Sequence, residues 1–198
     1  MALTASTQLV LGTKAPDFSL PDTTTGKQIS LADFAGAKGL LILFICNHCP
    51  YVKLIQTELS ALGKEYMLKG IAVVAISAND VSTHPDDGPE QMKKEAKRLA
   101  YPFPYLYDET QEVAKAYQAA CTPDIYLFDA QFQLVYHGQL DDARPNTTIP
   151  VNGADLRQAL DALLSGKPVN PVQKASMGCN IKWKAGNEPD YFKIPKES

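Results

Sequence analysis

Apolar positions along this chain fall into two patterns, and together they predict alternating strands and helices. Gly39-Leu-Leu-Ile-Leu-Phe-Ile45 and Ile71-Ala-Val-Val-Ala-Ile76 are near-continuous apolar runs of strand length, as strands buried on both faces require. Between them Val52, Ile55, Leu59 and Leu62 recur at helical spacing, predicting a helix over 50–67 that opens at Pro50 and is closed by Gly70. Two further helices are expected at 89–100 and 109–119, on either side of a short segment at 104–107. Strands at 125–128 and 133–136, joined by a turn at 129–131, form a late hairpin, and a last helix covers 153–164. Upstream, short alternating segments at 17–20 and 27–31 around Thr24-Thr25-Gly26 predict an N-terminal hairpin. This order implies an α/β sandwich with parallel strands early and antiparallel strands late. Residues 1–165 are expected to form the domain and 166–198 an extended C-terminal tail. Ile181, Trp183, Tyr191 and Phe192 are costly to leave in water together, so the tail is expected to dock.

Composition narrows the function classes. With 198 residues, 45% of them hydrophobic, the chain can fill one well-developed core. A formal net charge of −3 offers no basic footprint for nucleic acid. The longest apolar run is far too short to cross a bilayer, and the first ten residues lack the basic start and apolar stretch of a secretory signal, so a cytoplasmic location is expected. Four cysteines are too few and too unevenly spaced for a disulfide scaffold, which leaves reactive thiols or metal ligands.

The strongest chemical signal is Phe44-Ile-Cys-Asn-His-Cys-Pro50, a Cys-x-x-Cys where a strand hands over to a helix. Unpaired N–H groups and the dipole at a helix start favour a thiolate there, and a second thiol three positions on can close a disulfide with it. Cys46 and Cys49 are therefore the candidate redox pair. His48, lying between them, either stabilises a thiolate at Cys46 or is a surface turn residue. Cys121 is either a third thiol facing the site or a buried hydrophobe. Cys179, on the tail, either resolves a mixed disulfide or packs. The segment Asp141-Asp142-Ala143-Arg144 reads as a charged loop with an internal ion pair or as a border of the cysteine site. The acidic loop at 84–88 reads as a solvated connection. A rival class is a metal centre gathering Cys46, His48, Cys49, Cys121 and Cys179.

Three segments resemble the thioredoxin superfamily and its peroxiredoxin-like (AhpC/TSA-type) branch: the cysteine turn, Tyr105-Leu-Tyr-Asp-Glu-Thr-Gln-Glu-Val-Ala-Lys-Ala-Tyr117, and Cys121-Thr-Pro-Asp-Ile-Tyr-Leu-Phe-Asp129. The resemblance spans about 10–165. It implies a thioredoxin-like three-layer sandwich with a mixed β-sheet, and a cis bond before Pro123 that sets Thr122 and Pro123 against the cysteine turn to hold a partner's cysteine. It also implies an antioxidant or redox enzyme needing no cofactor, whose partners are protein or small-molecule disulfides and a cellular reductant. The chain departs from peroxiredoxins in their peroxide-cleaving groups. With Cys49-Pro50 aligned to their Cys-Pro, the hydroxyl position three residues earlier holds Cys46, and no arginine precedes 125–129 where theirs would fall. A thiol–disulfide oxidoreductase using Cys46 and Cys49 is therefore expected, with a peroxidase built on Cys49 and the metal centre as alternatives.

Overall fold

The structure is a computed structural model describing residues 3–192; the tail's last six residues lie outside the described residues. Its centre is a five-stranded mixed sheet. The strands are β4 (Gly39–Phe44), β5 (Ile71–Ser77), β6 (Tyr105–Tyr107), β8 (Asp124–Asp129) and β9 (Leu134–His137), in the order β6-β5-β4-β8-β9. The first three are mutually parallel, and β8 and β9 run antiparallel to β4. Side chains on alternate β4 positions serve both faces. Leu41 and Leu43 pack against α1 (Pro50–Leu68), α2 (Pro89–Arg98) and α4 (Ala154–Leu164). Leu40, Ile42 and Phe44 pack against α3 (Glu112–Ala116), the β2 (Ser19–Pro21)–β3 (Gln28–Ser30) hairpin and tail residues Ile181 and Trp183. The expected three-layer, thioredoxin-like sandwich with its N-terminal hairpin is thus present, and double-sided burial explains the unbroken apolar runs.

Differences from the sequence reading have local causes. The helix expected over 109–119 shrinks to five residues. Gln111 takes a left-handed φ of 66°, and the Asp108 carboxylate captures the Ala114 N–H at 2.8 Å. Gln111 is buried because its amide ties two distant segments, donating to the carbonyls of Ala78 (2.6 Å) and Lys182 (2.9 Å). A second, three-stranded sheet was not foreseen. In it β10 (Met177–Asn180) lies between β1 (Leu3–Ala5) and β7 (Cys121–Thr122), antiparallel to both. Gly178 permits the close β10–β7 approach, since a Cβ there would stand 2.0 Å from the Thr122 carbonyl oxygen.

Candidate redox site

The cysteine turn sits where β4 ends and α1 begins. Cys49 is the residue capping α1, and Pro50 takes the first helical position, where its missing N–H is no loss. Both cysteines are buried, Cys46 at 2% exposure and Cys49 at 0%. They meet Thr122 from two sides. The Cys46 Sγ lies 3.4 Å from Thr122 Oγ1, and the Cys49 S–H donates to the Thr122 carbonyl at 3.1 Å. The bond from Thr122 to Pro123 is cis, as the resemblance implied.

Cys179 reaches the same place from the tail. In the β10–β7 pairing it stands opposite Thr122, and its thiol is hydrogen-bonded to that of Cys49. Cys121 neighbours Thr122 on β7, but its thiol is turned to the Pro123 carbonyl at 3.5 Å.

One residue organises the turn, and sequence reasoning missed it. Asp87, in the acidic loop read as a solvated connection, is completely buried. Its Oδ1 accepts the backbone N–H of Asn47 (2.8 Å) and of His48 (3.2 Å), and its Oδ2 accepts from Asn79 Nδ2 (2.8 Å). Oδ2 also meets His48 Nδ1 at 2.5 Å. These bonds hold the Asp87 carboxyl below its usual range despite the desolvation that opposes ionisation, so Nδ1 carries the proton and donates it. His84, from the same loop, stacks on His48 with ring centres 4.7 Å apart. The loop lacks periodicity, and acidic residues beside Pro and Gly look like a solvated turn. The only advance signal was the number of carboxylates available to a cysteine turn with unpaired N–H groups.

The three associated thiols do not ionise alike. A hydrogen bond to Cys49, burial and the Asp87 carboxylate together push the Cys46 thiol well up. Cys49 moves down, because Cys179 and then Cys46 donate to it, with the Val52 N–H of the first helical turn adding a further donor. Cys179 moves up through its bond to Cys49 and through burial. The cluster therefore loses its first proton from Cys49. Cys121 is raised by burial, with Asp124 and Cys49 adding to it.

The metal alternative gathers differently than expected. Cys46, His48 and Asp87 place ligand atoms within 4.8 Å of one another. The His48 and Asp87 atoms are 2.5 Å apart, the spacing of a shared proton. Two ligands on a tetrahedral zinc, each about 2 Å from the ion, would stand about 3.3 Å apart. As arranged, the pair fits a proton better than a cation.

Beyond the turn, Lys53, Gln91, Lys94 and Arg98 border an open cleft of about 310 Å³ next to Asn47 and His48. Arg144 borders a shallow groove beside Pro123 and Tyr51. The ion pair expected within that loop does not form. The Arg144 guanidinium bonds the carbonyls of Asp141 and Ala143, while the Asp141 carboxylate takes the backbone N–H groups of Ala143, Asn152 and Gly153.

Comparison with known proteins gives the family and the fold. The model of the AhpC/TSA family matches residues 11–137. A thiol-disulfide oxidoreductase, ResA, of Geobacillus thermodenitrificans is 26% identical over 126 residues, 64% of this chain and 67% of that protein. An uncharacterised conserved protein of Geobacillus kaustophilus, solved by crystallography, is 55% identical with a TM-score of 0.91, over 93% of this chain and 97% of that one. The thioredoxin domain of a thiol-disulfide oxidoreductase from Bacteroides vulgatus superposes with a TM-score of 0.56 at 22% identity, covering 70% of this chain and 92% of that domain.

Proposed function

Since the chain belongs to the AhpC/TSA family, a family of thiol-based oxidoreductases, we propose that it exchanges disulfides through a Cys46–Cys49 dithiol pair. The observation that carries this reading is the meeting of both thiols with Thr122, next to the cis Pro123, at the start of α1. Cys46 is the thiol that meets the external partner. In the oxidised protein, a substrate thiolate attacks the Cys46 sulfur and Cys49 leaves. A leaving thiol of lowered pKa departs faster, and stabilising the Cys49 thiolate also stabilises the reduced pair, which makes it more oxidising. A second substrate thiol then attacks the substrate sulfur of the mixed disulfide, releasing the oxidised substrate and leaving Cys46 and Cys49 as a reduced pair. In the reducing direction Cys46 attacks a substrate disulfide, and Cys49 then attacks the Cys46 sulfur, expels the substrate thiolate and closes the Cys46–Cys49 bond. Thr122 and Pro123 seat the partner chain, and protein or small-molecule disulfides and thiols are the substrates, in a reducing, cytoplasmic setting.

The lowered pKa of Cys49 is also the observation that favours a thiol peroxidase acting through Cys49. Peroxide cleavage needs donors that stabilise the leaving oxygen. Here the position three residues before Cys49 carries a raised thiol instead of a hydroxyl, and slow peroxide oxidation follows.

Insulin reduction and exchange with glutathione disulfide test the assignment. Cys46→Ser should abolish turnover, and Cys49→Ser should accumulate mixed disulfides at Cys46 because the attacking thiol survives without its resolver. Full turnover in Cys46→Ser, with no adduct in Cys49→Ser, would hand the reactive role to Cys49.

A further inference from the structure

Three thiols, not two, share this site, and the middle one is Cys49. It touches Cys46 on the turn and Cys179 on β10. Thr122 fixes the arrangement: its hydroxyl meets Cys46, its carbonyl accepts from Cys49, and it stands opposite Cys179 in the β10–β7 pairing. Cys179 is 4% exposed and belongs to the same packed cluster as the other two, so no external thiol can take its place without unpairing β10.

We propose that the oxidised protein holds its disulfide in two isomeric forms, Cys46–Cys49 and Cys49–Cys179, with the buried Cys49 as the sulfur common to both. This rests on the dithiol reading above. In the exchange, the Cys179 thiolate attacks the Cys49 sulfur of the Cys46–Cys49 bond. The new Cys49–Cys179 bond forms, the old one breaks, and Cys46 leaves as a thiolate that takes up the proton Cys179 gave up. Nothing is oxidised or reduced overall, and no further reagent is needed. The result is a free Cys46 at the partner-facing position while the oxidising equivalent is held between α1 and β10.

The charges time the step. In the reduced cluster the hydrogen bond to Cys49, burial and the charge on Cys49 together keep Cys179 protonated. Once Cys49 is in a disulfide it carries no charge, so both restraints from Cys49 are lifted, while burial and Lys182, which favours the Cys179 thiolate, remain. Cys179 thus ionises more readily, and attacks faster, once the first disulfide has formed.

The test uses the full chain. Reduced protein is oxidised with one equivalent of diamide, freed of reagent, held without oxygen and quenched in acid at intervals. It is then unfolded, alkylated and mapped by peptide mass. Free Cys46 should rise with time while free Cys179 falls by the same amount. In Cys179→Ser, Cys46 should stay oxidised throughout. A folded Cys46→Ser chain, checked by circular dichroism, should still close Cys49–Cys179. If the Cys46–Cys49 bond forms and Cys179 stays fully alkylable in both wild type and Cys46→Ser, the isomerisation is overturned and the dithiol reading stands. If no Cys46–Cys49 bond forms at all, both fall together.

Discussion

Asp87 shows how a single carboxylate can set both the shape and the chemistry of a cysteine turn. Two backbone N–H groups of the turn, the His48 ring and Asn79 all converge on it. Its charge also opposes ionisation of the neighbouring Cys46. Asp87→Asn keeps the size and removes the charge, so the pKa of Cys46 should fall. Measured in a Cys49→Ser background, the alkylation rate of Cys46 against pH should shift to lower pH; an unchanged profile would mean the carboxylate is too well balanced by His48 to be felt. The same substitution should lower stability by about 1–3 kcal/mol through lost charge-assisted hydrogen bonds. The sign with pH is fixed by the folded-state shift. Because the Asp87 pKa is depressed below its ordinary 3.8, its contribution is fully present above that value and fades as pH falls through the lower, folded value. Acid unfolding of Asp87→Asn should lack that part of the transition.

At the scale of elements, the large sheet and the long helix were legible because periodicity reports burial directly. Leu40 to Phe44 are apolar without a gap since both faces are covered, and Val52, Ile55, Leu59 and Leu62 mark one buried face of α1. The cysteine turn was legible for a different reason, since two thiols, a strand end and Pro50 coincide within a few residues. What stayed hidden was decided by contacts distant in sequence. β10 is only Met177–Asn180, with Gly and Asn in it, and alone it has no strand pattern. It becomes a strand because β1 and β7 offer it open edges on both sides. The shortened α3 likewise answers to Asp108 and to the tail carbonyl of Lys182, neither visible in local pattern. Gly178→Ala tests the β10 account. Its methyl would overlap the Thr122 carbonyl, so β10 must back away from β7, and overpacking of this kind costs about 1–3 kcal/mol. Urea unfolding should show that loss, and disulfide mapping should show less Cys49–Cys179 than in wild type.

For the whole molecule, the question is whether the segment after Gly166 is an appendage or part of the folding unit. Its contacts cross several layers. Lys182 gives its N–H to Asn79 Oδ1 at 2.8 Å and its carbonyl to the Asp80 N–H at 2.8 Å, and Tyr191 donates its hydroxyl to the Ala119 carbonyl at 3.1 Å. Trp183, the chain's one tryptophan, packs edge-on to Tyr191 and Phe192 with each pair of ring centres 6.4 Å apart. Asn79 is also a partner of Asp87, so the tail and the cysteine turn share a hydrogen-bonded junction. Undocking the tail would strip partners from Asn79, Gln111 and β7 together, and each buried polar group left unpaired costs about 1–3 kcal/mol. One cooperative unit follows. In urea, tryptophan emission, reporting Trp183 alone, and far-ultraviolet circular dichroism, reporting the helices, should trace a single transition with one midpoint. Truncation after Lys174 should shift the dichroism midpoint to lower urea, because the sheet of β1, β10 and β7 and the cover over Gln111 are then lost. An emission change that completes at lower urea while the helices persist would show the tail to be a separable clamp. The site would then keep its dithiol pair and lose Cys179 whenever the clamp opens.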